Sequence, residues 1–292
     1  MQRISRPFAK PLLESYAAMP PEALIFDVDG TLAETEEAHR RSFNEAFSAF
    51  GLDWTWDKDV YRDLLQITGG KERLLHYIDE WRPCGSKAAL SCFTDLYQES
   101  TARYAALVQC GAAPTRPGVR RLITEAHERG VRLAIATTSA RRSVDALLQK
   151  MLGEEGPSWF EVIAAGDAVE RKKPAPDIYC FALDRLGCEP GRCVAIEDSE
   201  NGVKAARAAG LPVIAVPSDY LQGDDFSLAT SVLTDLGEPG RPCRQITGVP
   251  FERDYVDIDG LRAWMAARGG PFPSALEDGR ENGSRPSGAG PR

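Results

Sequence analysis

Apolar residues in this chain fall into short unbroken runs separated by amphipathic stretches. The runs are Ala23-Leu24-Ile25-Phe26, Val131 to Ala136, Phe160 to Ala165, Cys193 to Ile196 and Val213 to Val216. Most lack the alternation of a half-exposed strand, which predicts parallel strands buried on both faces. Between them, Val119, Leu122, Ile123 and Ala126 share a helical stripe ending at Gly130. Helices are likewise predicted over Arg141 to Leu152, Ala175 to Leu186 and Asn201 to Ala209. This regular alternation predicts an α/β fold, a doubly wound parallel sheet of Rossmann-like type.

One stretch breaks the rhythm. From about Glu36 to Ala112 no strand pattern is present and helical spacing dominates, with Phe43, Ala46, Phe47 and Phe50 on one stripe and Leu74, Leu75 and Ile78 on another. That is far more helix than a crossover between parallel strands needs. It predicts a small helical cap (37–112) inserted into a core formed by 21–36 and 113–268. Residues 1–20 read as a disordered extension. The tail from 269 to 292, rich in Gly, Pro, Ser and Arg, reads the same way.

Composition narrows the functional classes. A net charge of −8 and a pI near 5.1 argue against nucleic acid or an anionic membrane as the main partner. No apolar run approaches the roughly 18 residues of a membrane span. The N-terminal residues carry Arg3, Arg6 and Lys10 without an apolar core, so they do not read as a secretory signal. The seven cysteines contain no CxxC pair and suit a reducing, cytoplasmic setting, with the plastid stroma as alternative. The chain is expected to act as a monomer on a small molecule.

In an open parallel sheet, ligands bind beyond the carboxyl ends of the strands. The first run leads into Asp27-Val28-Asp29-Gly30-Thr31 and the second into Thr137-Thr138-Ser139. The third is followed by Asp167 and Lys172-Lys173-Pro174, and the fourth ends in Glu197-Asp198-Ser199. Taken singly, each has a plain explanation as a turn, a helix cap or a surface loop. All four at strand ends, in this order, do not. So many carboxylates on one edge call for a hard cation with oxygen ligands. Magnesium fits, because it needs few carboxylates and leaves room for a substrate phosphate. His39, His76 and His127 are scattered, which argues against zinc. Asp27 and Asp29, two residues apart where the strand opens into the Gly30 turn, can diverge into a nucleophile and a proton carrier.

These segments resemble the haloacid dehalogenase superfamily: FDVDGT its first motif, TTS its second, KPAPDIY its third and IEDS-x-NG its fourth. The resemblance implies Asp27 as nucleophile and metal ligand, and Asp29 as acid/base with its carbonyl also on the metal. It implies Thr137, Thr138, Ser139 and Lys173 around the phosphoryl group, and Glu197 and Asp198 on Mg2+. More closely, DVDGTLAETEE-x-HRR, TGGKER and IAAGD are similar to the CbbY-type phosphatases. That group is associated with the Calvin cycle and removes a phosphate from xylulose-1,5-bisphosphate, an inhibitor of Rubisco. On that resemblance Glu36, His39, Gly69, Gly70, Lys71 and Arg73 contact substrate. A bisphosphate gives physical sense to the cations, since its second anion needs charge-assisted donors away from the core. The sequence departs from the group where a cap helix often carries a Lys four residues before an aromatic: Ser100 stands four before Tyr104. A sugar-phosphate mutase, a phosphoglycolate phosphatase and an inactive binding module are the alternatives.

Overall fold

The computed structural model describes residues 20–221 and 223–268. The expected extensions at 1–20 and 269–292 lie, but for residue 20, outside the described residues. Among these residues, seven strands form one sheet in the order β3-β2-β1-β4-β5-β6-β7. They are β1 (Ala23–Phe26), β2 (Arg132–Ala136), β3 (Val162–Ala164), β4 (Cys193–Glu197), β5 (Val213–Ala215), β6 (Ser231–Leu233) and β7 (Gln245–Gly248). All neighbours run parallel except β6 and β7. The five anticipated runs are the five strands from β1 to β5.

Beyond a helical segment that follows β1, helices alternate with the strands: α6 (Val119–Glu128), α7 (Arg141–Leu152), α8 (Asp177–Leu186), α9 (Glu200–Ala208) and α10 (Ile258–Ala267). Strand alternation sorts the core. Leu24 and Phe26 of β1 face one apolar cluster with Leu122, Leu147 and Trp264; Ala23 and Ile25 face another with Tyr179, Leu183 and Val203. Helix α8 starts two residues later than predicted, with Pro176 as its N-cap residue.

The segment between β1 and β2 is helical throughout: α1 (Glu36–Ala49), α2 (Lys58–Leu64), α3 (Gly70–His76), α4 (Ser86–Ser91) and α5 (Phe93–Gln109). It has its own aromatic core, in which Trp56 meets Phe47 edge-on at 5.0 Å and Tyr77 at 5.3 Å. Ala38 of α1 and Tyr104 and Val108 of α5 belong instead to the sheet-side cluster, so both helices are rooted in the main core. The predicted Leu74–Leu75–Ile78 stripe needs correction. Leu74 and Ile78, four apart, are buried, whereas Leu75, about 100° round the helix from Leu74, is exposed.

Strands β6 and β7 and helix α10 were not anticipated. Strand β6 has three residues, and all of β7 is exposed, so neither carries a hydrophobic signature. Helix α10 did carry one: Ile258, Leu261 and Trp264 are buried, behind an Asp257 cap that accepts from Gly260 N at 2.6 Å. Among the described residues no helix is long and apolar enough to cross a membrane.

Candidate active site

Register places the chemistry. Phe26 pairs with Ile135 on one side and Ile196 on the other, so the next residue, Asp27, stands between the ends of β2 and β4, beside Glu197. The chain switches sides of the sheet at β1, and such a switch point opens a crevice at the strand ends. A cavity of about 240 Å³ lies there, between the sheet edge and the helical layer. From the core it is lined by Asp27, Asp29, Thr137, Thr138, Ser139, Lys173 and Asp198, and from the helical layer by Glu36, His39, Gly69, Gly70 and Arg73.

The two aspartates occupy different electrical settings. Lys173 Nζ lies 2.6 Å from Asp27 Oδ1 and 2.6 Å from Glu197 Oε1. Burial pushes Asp27 up to about 8 from an ordinary 3.8; Lys173 pulls the other way, while Glu197 and Asp29 add to the rise. Asp29 is also buried, which favours its neutral form, yet it is held well below the usual carboxylate range. His39, Ser139 and Thr35 together outweigh burial. Thr35 Oγ1 donates to Asp29 at 2.7 Å, His39 Nε2 at 2.9 Å, and Ser139 Oγ closes the third side. The His39 ring is itself fixed, stacked on Tyr104 at 4.0 Å.

Glu197 does not line the cavity. It is fully buried beneath it, where Oε1 accepts from Lys173 and from the Tyr179 hydroxyl and Oε2 from Asp198 N. Asp198 is different: its Oδ2 is buried and, among the described residues, accepts no hydrogen bond. Burial, then Asp27 and Glu197, push Asp198 well above the normal range, as expected of a carboxylate short of a positive partner. Carboxylate oxygens of Asp27, Glu197 and Asp198 all lie within 4.8 Å of one another. A hard divalent cation fits this donor set, with the unpartnered Asp198 oxygen as its natural contact.

Two glycines make room. A Cβ on Gly30, at φ +77°, would sit 1.9 Å from Asp198 Oδ2, and one on Gly202 would sit 2.0 Å from a Glu197 oxygen.

In the helical layer the expected contacts divide. Arg73 reaches the cavity wall but is 8% exposed: Nη1 donates to the Tyr61 hydroxyl at 3.0 Å and Nε to Leu64 O at 3.1 Å. Tyr61 in turn donates to Glu36 Oε2 at 2.8 Å. Lys71 is not brought to the cavity. It is half-exposed and pairs with Asp167 across the cleft at 3.3 Å. Arg73 follows Gly70 by three positions and shares its face, whereas Lys71 is turned by about 100°. Lys172 reaches back to Glu72 at 3.8 Å, and Asn201 Nδ2 donates to Thr68 Oγ1 at 3.2 Å, so core and helical layer touch around the rim. Ser100 is buried on the cavity wall, while Arg103 pairs with Glu99 and Glu45. Sequence reasoning missed Tyr61 and Tyr179. An isolated Tyr gives no spacing signal, although Tyr179 closes the KPAPDIY segment.

Comparisons with known proteins identify the family. A family model described as haloacid dehalogenase-like hydrolase matches residues 21–210. The plasmid-borne protein CbbY of Cupriavidus necator is 47% identical over 248 residues, spanning 83% of this chain and 96% of that protein. Protein CbbY of Rhodobacter capsulatus is 51% identical over 215 residues, 74% of this chain and 93% of its own. A crystal structure of a CbbY variant from Rhodobacter sphaeroides in complex with xylulose-(1,5)-bisphosphate superposes with a TM-score of 0.69 at 45% identity, covering 75% of this chain and 96% of that one.

Proposed function

The chain belongs to the haloacid dehalogenase-like hydrolases and is a phosphatase of CbbY type, and from that premise we propose that it hydrolyses xylulose-1,5-bisphosphate to xylulose 5-phosphate with magnesium as cofactor. One observation carries the chemistry: Asp27 and Asp29 share a cavity but face different partners, one a lysine and the other a ring of donors.

Asp27 is the nucleophile. Its free carboxylate oxygen attacks phosphorus while Lys173 balances charge on the attacking and transferring groups. Asp29 carries the proton, giving it to the departing sugar oxygen and then taking one from the water that hydrolyses the aspartyl phosphate. Thr35, His39 and Ser139 hold its carboxylate in place, favour its ionised form, and so set it up best as the base of the second step. Thr137, Thr138 and Ser139 face the phosphoryl oxygens. Asp27, the Asp29 carbonyl and Asp198 would hold Mg2+, with Glu197 behind them; when bound, the ion supplies positive charge to the transferring phosphoryl group.

The helical layer acts as a cap. Its contacts with the core at Thr68–Asn201 and Lys71–Asp167 suit a closed state that excludes water. Gly69 and Gly70 permit close backbone approach, and Glu36, His39 and Arg73 face the sugar and its second phosphate. The test is a panel of initial rates of phosphate release with Mg2+ across xylulose-1,5-bisphosphate, hexose monophosphates and phosphoglycolate. The pentulose bisphosphate should give the highest kcat/KM. A higher value for phosphoglycolate or a hexose phosphate would reject the substrate.

A further inference from the structure

Arg116 stands where the chain returns from the helical layer to the sheet. Thr115, just before it, bridges antiparallel to Ala33; Arg116 N donates to Leu32 O at 3.0 Å and Glu34 N to Pro114 O at 3.0 Å. The two crossings between core and helical layer are thus one short ladder, with Arg116 at its end.

The Arg116 side chain is buried and turned into the sheet edge. Nη1 donates to the carbonyls of Gly30 and Val216, the latter at 2.7 Å, and Nη2 to Pro217 O at 3.0 Å and Thr234 O at 3.3 Å. Nε lies 3.3 Å from Glu34 Oε1. One guanidinium therefore joins the segments that leave β1, β5 and β6. Gly30 is the residue after Asp29, and its amide donates to Ala33 O at 3.0 Å. The Asp29–Gly30 segment is consequently held at its N–H by the ladder and at its carbonyl by Arg116.

We propose that Arg116 is a positioning residue for phosphoryl transfer, fixing the Asp29–Gly30 segment between the ladder and the ends of β5 and β6 so that the Asp29 carboxylate stays among Thr35, His39 and Ser139. A buried cation with a single carboxylate partner among the described residues is an expensive way to fill space, since apolar replacements of buried ionic groups are often neutral or stabilising. What it supplies is geometry. Five N–H donors in one rigid plane fix several carbonyls relative to one another, which an ammonium on a flexible stem cannot do. Gly30 packs so tightly on Asp198 that a small shift of this segment would also displace the acidic cluster.

The inference rests on Asp29 acting as acid/base, so Asp29→Asn is assayed alongside Arg116→Lys, Arg116→Ala and Glu34→Gln. Rates are taken per folded molecule, below each variant's melting temperature. Arg116→Lys should lower kcat by about 10- to 100-fold, the scale of a small misplacement of a reacting group, with KM moving less than about threefold. Methylguanidinium should restore part of the kcat of Arg116→Ala in a saturable way. If that variant does not fold, Arg116→Lys decides alone. Glu34→Gln keeps all four carbonyl contacts and should lose less than Arg116→Lys. A folded Arg116→Lys with kcat within threefold of wild type, whatever its melting temperature, overturns the inference. If Asp29→Asn is also nearly as fast as wild type, the acid/base reading falls with it; if Asp29→Asn is slow, only the role of Arg116 is lost.

Discussion

Asp27 and Asp29 are the same residue type two positions apart, and their partners alone separate the roles proposed for them. Asp27 has a lysine at 2.6 Å and two further carboxylates nearby. Asp29 has three donors and lies outside that acidic cluster. Asparagine at the two positions should therefore fail differently. Asp27→Asn removes the attacking oxygen and should abolish turnover, because an amide does not displace at phosphorus. Asp29→Asn keeps the nucleophile but neither protonates the leaving oxygen nor activates water, and should lose roughly 100- to 10,000-fold in kcat. Rapid-quench labelling with a 32P substrate separates the cases: Asp29→Asn can still form labelled enzyme, Asp27→Asn cannot. Label on Asp27→Asn, or near-normal kcat for Asp29→Asn, would reject the assignment.

At the scale of elements, the cleft depends on which face of α3 meets it. Gly70 and Arg73 share the inner face, while Lys71 points to the rim and Asp167. If Arg73 holds the second phosphate, Arg73→Ala should lower kcat/KM for the bisphosphate about 10- to 100-fold, as expected for a charge-assisted hydrogen bond of about 1.5–3 kcal/mol. A chromogenic monophosphate should be affected far less. Lys71→Ala removes an exposed ion pair worth about 0–1 kcal/mol and should cost less than about fivefold on either substrate. Equal losses on both substrates for Arg73→Ala would mean that Arg73, bonded to Leu64 O and Tyr61, supports the cap's fold instead. The direction of Lys71 was not legible in the sequence, because TGGKER shows that cations are present but not where the helix turns them. Strands β1 to β5 were legible, since strands buried on both faces must be apolar throughout. So were the residues at their ends, because polar groups directly after such strands stand out. The exposed β7 left no pattern to read. Arg116 and Tyr61 went unseen for another reason: their partners lie 86 residues away at Gly30 and 25 away at Glu36, and no local spacing encodes such contacts.

For the whole molecule, a net charge of −8 and a buried acidic cluster tie stability to pH and to cations. Burial raises Asp27 from 3.8 to about 8 despite Lys173, and raises Asp198 well above 3.8. Between about pH 4 and pH 8 the folded, metal-free protein therefore binds protons that the unfolded chain has released. Stability rises with pH where the unfolded chain binds more protons and falls where the folded protein does, so here it falls as pH rises through that window. The lowered Asp29 acts in the opposite sense, but only below its ordinary value of 3.8, and does not offset the trend. General repulsion in an acidic protein also grows with pH, so a falling melting temperature is not enough by itself. The comparison that isolates the cluster is wild type against Asp27→Asn in excess EDTA at pH 5.5 and pH 8. Wild type should lose more on going to pH 8, by on the order of 5 °C for about 2 kcal/mol. Millimolar Mg2+ should recover most of that difference, and raise wild type more at pH 8 than at pH 5.5, because a bound cation favours the ionised carboxylates. Equal pH slopes for the two proteins in EDTA would show that Asp27 does not carry this strain, and a Mg2+ effect as large in Asp27→Asn as in wild type would show that it does not hold the ion.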